Sequence, residues 1–234
     1  MQSLENETYQ RGTVWQKIWD RKHADHQQSL HQSDGFDLLD ASQFSALVHP
    51  FVEWMGPLNN NLVLEVGCGT GAFAKHLSYY KKFFGIDYSE SAIQRISREF
   101  EGCFKVAEAN KIPFNDQQFD CVYSFGVFFY FDSLDYAKNC LLEQLRVLKP
   151  GGQIFIFEIN DEEKLELYQE IRSKEQRKKH QKTDVHIDHI FYNKKFFTDF
   201  GRENNLKVEI RDESKMQISF HTGASYRFAV SFKS

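Results

Sequence analysis

The feature that most constrains the fold is the stretch from residue 63 to residue 77, where an apolar run meets a glycine-rich loop. The run Leu62–Val66 ends in Gly67, Gly69 and Gly71. Apolar residues then recur at helical spacing up to Leu77, which predicts that a helix begins after the loop. Because glycine adopts positive φ and has no Cβ, this loop lets a ligand approach backbone amides. The stretch therefore predicts a buried strand whose end faces a ligand.

A second apolar run narrows the kind of ligand. Residues 83–86 are apolar and end in Asp87, twenty positions after Gly67. Gly67, Gly69 and Ala72 also satisfy the dinucleotide pattern G-x-G-x-x-G/A. An acidic side chain at the end of the second strand suits hydrogen bonds from a ribose diol. The two runs together predict a βαβ unit that holds a nucleoside.

Three later motifs complete the pattern: AEANKIPF at residues 107–114, FDCVYS at residues 119–124 and LRVLKPGG at residues 145–152. In this order, and together with the glycine loop and Asp87, they resemble the class I S-adenosylmethionine-dependent methyltransferases. The resemblance covers residues 62–159 firmly and the C-terminal part more loosely. The last motif is more specific than the glycines, which many nucleotide-binding chains share.

The alternation of strands and helices over about 100 residues requires parallel strands joined by right-handed crossovers. The resemblance implies an α/β fold with a seven-stranded Rossmann-like sheet, mostly parallel, and an antiparallel C-terminal hairpin. We expect a single domain over residues 1–234. Within it, residues 1–58 form an N-terminal helical cap, residues 59–160 the cofactor-binding core, and residues 161–234 an acceptor-side insert with the hairpin.

The resemblance also implies which residues bind the donor, S-adenosylmethionine. The methionine portion is expected at Glu65 and at the loop residues Gly67, Cys68, Gly69 and Gly71. Asp87 is expected to accept from the ribose hydroxyls, and Tyr88 to lie against the adenine. The two carboxylates also have purely structural alternatives, Glu65 as a partner of a neighbouring loop and Asp87 as a helix cap.

Further contacts are implied after the third and fourth strands. Glu108 would accept from the adenine amino group, and Ala109 and Asn110 would flank the ring. Ser124 and Phe125, at the end of the fourth strand, would border the methionine portion and the acceptor.

The acceptor side is less specific in sequence. His186, Asp188 and His189 lie in a segment that commonly lines the acceptor site in this fold, and histidine supplies a general base near neutral pH. The same three side chains could serve as ordinary hydrogen-bonded structure or as metal ligands. We predict a general base and no bound metal. Glu158 is a further candidate base, and the aromatic residues 128–131 could line the acceptor pocket.

Composition sets limits on partners and compartment. The net charge of −4 argues against general nucleic-acid binding. The chain shows no signal-peptide pattern and no apolar run long enough to span a membrane. Four scattered cysteines predict buried thiols in a reducing cytoplasm. The oligomeric state is left open.

These observations predict a cytoplasmic enzyme that methylates an oxygen or nitrogen of a small molecule, with no nucleic-acid partner. The fourth strand ends in YSFG and lacks the Asn-Pro-Pro-Tyr type of sequence that nucleic-acid amino-methylating enzymes of this fold use. Two other functions stay open. An NAD(P)-dependent oxidoreductase fits the glycines and Asp87, but it leaves Glu65 and residues 149–152 unexplained. A non-catalytic cofactor-binding protein is the second.

Overall fold

The computed structural model describes residues 11–179, 189–218 and 220–234. Within them, one sheet contains seven strands: β1 (Leu62–Val66), β2 (Lys82–Asp87), β3 (Cys103–Val106), β4 (Phe119–Phe125), β5 (Leu148–Asn160), β6 (Lys207–Asp212) and β7 (Arg227–Lys233). The helices are α1 (Arg11–His23), α2 (Leu30–Ser33), α3 (Ala41–Met55), α4 (Glu90–Glu99), α5 (Leu134–Val147), α6 (Leu165–Lys179) and α7 (Lys194–Glu203).

The strand order is β3-β2-β1-β4-β5-β7-β6. β1 is central to the parallel part, where it pairs with β2 on one side and β4 on the other. β7 lies between β5 and β6 and is antiparallel to both. The predicted Rossmann-like sheet with an antiparallel C-terminal hairpin is therefore confirmed.

Strand alternation divides the core between the two faces of the sheet. In β1, Val63 belongs to one buried cluster and Leu64 to the other, because successive side chains point to opposite faces. The first cluster joins α3 and the residues after the glycine loop to the sheet. The second packs α5 and α7 against the other face. The helices that precede β1, called the cap below (α1–α3), thus reach the sheet on the glycine-loop face through α3.

Polar residues define several helix starts, as their sequence positions predict. The side chains of Ser89, Ser133 and Asn193 each accept a hydrogen bond from a backbone N–H in the first turn of the helix that follows. These bonds satisfy amides that have no partner within the helix. In α3, Pro50 lies inside one continuous helix and does not divide it.

The prediction of a helix after the glycine loop is wrong. The structure contains only a single 3-10 turn, Ala74–His76, before the chain enters β2 at Lys82. Leu77 is already extended and Tyr79 has a φ of 62°. A helix rises only about 1.5 Å per residue, so the few residues between loop and strand must run more extended to return along β1. The glycine loop therefore has no following helix N-terminus.

Candidate active site

The end of β2 is joined to the glycine loop through the carboxylate of Asp87. Oδ2 accepts from the Gly69 backbone N–H at 2.9 Å, and Oδ1 accepts from the Ser89 N–H at 2.9 Å. Burial raises the pKa of Asp87, and the two backbone hydrogen bonds oppose that rise. Each carboxylate oxygen has a second lone pair, so this geometry leaves acceptor capacity for the hydroxyls of a ribose.

Glu65 lies near the end of β1 and is 3% exposed. The Tyr123 hydroxyl on β4 donates to its Oε2 at 2.8 Å. Burial raises the pKa of Glu65 well above its ordinary value; the Tyr123 bond lowers it, and the charges of Asp34 and Asp87 raise it further. Glu65, Asp34 and Asp87 thus border one cavity and influence each other electrostatically, an arrangement that favours a positively charged ligand.

The loop after β3 supplies Glu108, Ala109 and Asn110 to the same site. Glu108 is fixed by Tyr136 of α5, whose hydroxyl donates to Oε2 at 2.9 Å. Tyr88 stands after Asp87 and its pKa is raised, chiefly by burial. Loops after three strands therefore meet at one place.

These groups line a cavity of about 270 Å³. Every residue predicted to bind the donor lines this cavity except Gly71 and Ser124. A Cβ on Gly71 would lie 2.6 Å from Cε2 of Phe100, so Gly71 is required for packing against α4. Ser124 is fully buried beside Phe125 on β4. Because alternate strand residues face opposite sides, Phe125 reaches the cavity and Ser124 does not.

The cap lines the cavity as well, and the sequence did not predict most of its contribution. Its lining residues are Trp15, Gln16, Trp19, His23, Asp34, Phe36 and Phe44. A tryptophan stripe in α1 was visible in the sequence, but nothing in it identified Asp34 or His23. These two side chains lie 3.4 Å apart, Nε2 to Oδ1.

His189, the predicted base, does not line the cavity but lies close beside it. Its ring is 5.6 Å from that of Trp15 and 5.3 Å from that of Tyr130, both of which line the cavity. Its Nδ1 is 3.4 Å from the Tyr168 hydroxyl. His186 and Asp188 fall outside the described residues. No cluster of three metal-ligating side chains occurs within the part of the chain that the structure describes.

A second polar group, the Glu158 cluster (Glu158, Glu213, His221 and Arg227), lies near the ends of β5 and β7. Glu158 is fully buried and has a φ of 63°, at a shift in the β5–β7 register. Its Oε2 accepts from Arg227 and is 3.1 Å from Nε2 of His221. Left-handed φ and bulges are costly features that often redirect a side chain. Here they turn Glu158 towards the arginine.

Charge within the Glu158 cluster is divided unequally. Burial raises the pKa of Glu158, but Arg227 and His221 outweigh that effect and hold it below its ordinary value. Glu213 does not offset the charge of Glu158. Burial and the neighbouring Glu158 raise the pKa of Glu213 well above its ordinary value. Phe36 connects this cluster to the cavity, because its ring lies 6.0 Å from His221 and 5.4 Å from Phe125.

Comparison with known proteins identifies the domain that carries this cavity. A family model described as a methyltransferase domain matches residues 64–156. The fold agrees with this match. A putative methyltransferase from Haloferax volcanii, solved with its Trm112 activator, aligns with a TM-score of 0.65 at 17% identity over 92% of this chain and 96% of its own. Residues 64–156 form a class I S-adenosylmethionine-dependent methyltransferase domain.

Curated relatives that are themselves named as methyltransferases match part of this chain and differ in what their names say they modify. Probable tRNA methyltransferase 9B of Mus musculus is 37% identical over 98 residues, or 42% of this chain and 21% of the relative. The chloroplastic 2-phytyl-1,4-beta-naphthoquinone methyltransferase of Arabidopsis thaliana is 33% identical over 138 residues, or 53% of this chain and 51% of the relative. The chain thus spans about half or less of the length of these relatives.

One predicted exclusion is overturned by these relatives. The net charge of −4 led us to exclude a nucleic-acid partner. Relatives named as tRNA methyltransferases share the methyltransferase domain, including one from Mus musculus, a tRNA (carboxymethyluridine(34)-5-O)-methyltransferase, that is 31% identical over 124 residues. Net charge summed over a whole chain does not describe a local binding surface, so that exclusion is wrong.

As for membranes, no described helix combines the length and apolarity needed to cross a bilayer.

The cavity fits the cofactor of this domain class better than it fits a dinucleotide. Among the described residues that line it, five are acidic and none is lysine or arginine; the acidic residues are Asp34, Glu65, Asp87, Glu108 and Asp132. S-adenosylmethionine carries a sulfonium and an ammonium, whereas NAD(P) carries a pyrophosphate. The helix N-terminus that usually faces a pyrophosphate is also missing after the glycine loop. This charge pattern argues against the oxidoreductase alternative.

Proposed function

We propose that this chain transfers the methyl group of S-adenosylmethionine to an oxygen or nitrogen of a small-molecule acceptor. The proposal rests chiefly on one observation: a methyltransferase domain presents a cavity with acidic side chains, a glycine loop and no basic side chain among its described lining residues. The cofactor supplies an activated methyl group on a positively charged sulfur. The protein's part is to hold donor and acceptor in line and to accept a proton where the acceptor loses one.

Each end of the cavity has a distinct part in this proposal. Asp87 would accept from the ribose hydroxyls, since its two oxygens are held in place by the backbone N–H groups of Gly69 and Ser89, each at 2.9 Å. Glu65 and the loop Gly67–Gly71 would hold the methionine portion. Glu108, Ala109 and Asn110 would surround the adenine, and Tyr136 fixes Glu108 there.

The cap supports a small acceptor. Trp15, Trp19 and Phe36 bring aromatic rings to the cavity from outside the sheet, where they would lie against a bound donor and acceptor. Tyr130 and Phe131, after β4, add to the same wall. A site enclosed in this way admits a compact group and excludes bulk water.

We assign the base to His189, one aromatic layer from the cavity beside Trp15 and Tyr130. We also propose a cytoplasmic location; the four free cysteines support it, because free thiols are typical of a reducing compartment.

A tRNA nucleoside is the second candidate acceptor, favoured by the names of the relatives that share the domain. A nucleobase or its modified side chain is itself small enough to enter a covered site, once it is turned out of its stack. The two candidates differ in what surrounds the cap: a tRNA acceptor requires phosphate contacts on the surface.

A two-stage experiment tests the proposal. The first stage compares the melting temperature of the protein with S-adenosylhomocysteine and with NADH; we expect a rise only with the former. The second stage measures transfer of a tritiated methyl group from S-adenosylmethionine into a small-metabolite extract and into total tRNA. Label in the small-metabolite fraction supports the first acceptor class, and label in tRNA supports the second. A shift with NADH alone, or donor binding without transfer to either fraction, would contradict the proposal.

A further inference from the structure

The turn between α2 and α3 carries an acidic side chain into the donor cavity. Asp34 follows the short helix α2, and its side chain is only 15% exposed. Its Oδ1 accepts from the Thr70 backbone N–H at 2.8 Å, and its Oδ2 accepts from the Ala72 N–H at 3.2 Å. A Cβ built on Gly69 would lie 2.5 Å from Oδ1. The carboxylate therefore lies directly on the glycine loop.

The turn that presents Asp34 is tightly held. Arg95 of α4 donates from Nη1 to Ser33 Oγ at 2.7 Å and from Nη2 to the Gln28 carbonyl. Gly35 has a φ of 98°, and a Cβ there would lie 2.9 Å from the Trp19 ring. The Thr70 hydroxyl also donates to the Leu30 carbonyl at 3.1 Å. The position of Asp34 is thus fixed by several independent contacts from the core.

Asp34 is associated with the methionine end of the cavity rather than with the adenine end. It bonds to the amides of Thr70 and Ala72, in and just after the glycine loop, whereas the adenine end is formed by Glu108–Asn110 and Tyr136. The charge of Asp34 also raises the pKa of Glu65 and of Asp87. Three carboxylates therefore meet at this end, and no lysine or arginine lies among the described lining residues.

We propose that Asp34 binds the ammonium group of the methionine portion of the donor. The inference rests on the proposed function, since it assumes that S-adenosylmethionine occupies this cavity. Besides the two backbone amides, His23 lies 3.4 Å from Oδ1 of Asp34. The carboxylate still retains acceptor capacity and needs no reorganisation to accept an N–H from a cation. Because Asp34 belongs to the cap, the site for the amino group is complete only when the cap lies on the loop.

Asp37, three residues further along the same turn, provides a matched control. Its side chain is 52% exposed and pairs with Lys22 at 2.6 Å, and it is not among the residues that line the cavity. Asp34→Asn and Asp37→Asn remove the same charge from the same segment. Any general effect of net charge on a cationic ligand appears in both variants, whereas a direct contact appears only in the first.

The test measures dissociation constants by isothermal titration calorimetry for three ligands. S-adenosylhomocysteine has the ammonium and the carboxylate, its decarboxylated form has the ammonium alone, and 5′-methylthioadenosine has neither. Asp34→Asn is expected to weaken the binding of S-adenosylhomocysteine and of its decarboxylated form by about tenfold to a hundredfold, the range for losing a hydrogen bond to a charged group. Binding of 5′-methylthioadenosine is expected to stay within about twofold of the parent. Asp37→Asn is expected to match the parent for all three.

The outcomes separate this inference from the proposed function. An equal loss for all three ligands would show that Asp34 only shapes the loop, and unchanged or tighter binding would show that it does not contact the ammonium; either overturns the inference. If Asp34→Asn does not fold, Asp34→Glu keeps the charge, and the inference then requires the parent's preference for S-adenosylhomocysteine over 5′-methylthioadenosine to persist. If the parent binds none of the ligands, the proposed function itself fails.

Discussion

The donor half of the molecule, meaning Glu65, the glycine loop and Asp87, and the Glu158 cluster are built in different ways. The donor half is local: Glu65, the glycine loop and Asp87 lie within 23 consecutive positions and are held by β1 and β2. The Glu158 cluster, by contrast, joins Glu158 to Glu213, His221 and Arg227. Glu158 and Arg227 are hydrogen-bonded although they lie 69 residues apart in the sequence. A motif can describe the first kind of site, whereas the second exists only after β5 and β7 pair.

The donor cavity and the Glu158 cluster also differ in how their buried charges are compensated. The donor cavity collects five acidic side chains with no lysine or arginine among its described lining residues, and His23 beside Asp34 offsets only part of that charge, so most of the compensation is left to a ligand. The Glu158 cluster compensates internally, since Arg227 bonds to Glu158 and to Asn160 at 3.1 Å. We therefore expect changes in the donor half to alter binding and changes in the Glu158 cluster to alter stability first.

The largest expected effect tests the internal compensation. Arg227→Met leaves Glu158 buried without its ion-pair partner, and the free energy of unfolding is expected to fall by about 3–5 kcal/mol. Urea denaturation measures this change. Arg211→Met on β6 is the control, because that arginine is 44% exposed and pairs with Glu209 at the surface. A loss for Arg227→Met no larger than for the control would show that the cluster is not a buried ion pair.

The second effect concerns His189, the proposed base beside the cavity. His189→Ala is expected to lower turnover by about a hundredfold, the lower range for a lost general base, while donor affinity stays near that of the parent. The measurement is methyl transfer to the acceptor found in the labelling experiment. His49→Ala, at a side chain that is 69% exposed on α3, is the control. Parental turnover in His189→Ala would remove this residue from the mechanism.

The third effect tests the donor half. Asp87→Ala is expected to weaken binding of S-adenosylhomocysteine by about 1–3 kcal/mol, because a buried charged hydrogen-bond partner is lost. Calorimetry gives the affinity, and the melting temperature shows whether the variant is folded. Unchanged affinity in a folded variant would mean that Asp87 only joins the loop to Ser89.

The smallest effect separates the two carboxyl groups of the Glu158 cluster. The pKa of Glu213 is raised in the folded state, so this group takes up a proton on folding and its contribution to stability is lost as pH rises above about 4.5. Glu213→Gln removes that loss, so it is expected to gain about 1 kcal/mol relative to the parent between pH 5 and pH 8. Glu158 has a lowered pKa, so its contribution has the opposite sign and is lost as pH falls.

Thermal or urea denaturation across that pH range reads out the comparison. A difference between Glu213→Gln and the parent that is constant with pH would show that Glu213 does not change its protonation on folding. The same series on Glu158→Gln is expected to show a stability loss at neutral pH that shrinks in acid.

The sequence predicted the fold well, and most of the residues that it assigned to donor binding lie around one cavity, for a physical reason. Strand alternation, the glycine loop and Asp87 are local patterns, and each constrains its own neighbours. The sequence overestimated the helix after Gly71, because apolar spacing does not reveal how far the chain must travel to reach β2. The sequence did not predict that Asp34 lines the cavity, because the turn that carries Asp34 is held in place by Arg95, more than sixty residues away.

The Glu158 cluster was predicted least completely. Glu158 was identified only as a candidate base, whereas the structure shows a buried carboxylate paired with Arg227. That pairing depends on the register of β5 and β7, which no short motif encodes. The small-molecule acceptor stays a prediction, and the exclusion of nucleic acid was wrong because charge composition averages over the whole surface.

A crystal structure of the chain grown with S-adenosylhomocysteine tests the central claim most directly. We expect the homocysteine portion to lie against Gly67–Gly71, the ribose hydroxyls to bond to Asp87, and the adenine to lie between Tyr88 and Asn110. Density for the ligand at another place, or a cavity that stays free of it at saturating concentration, would contradict the account.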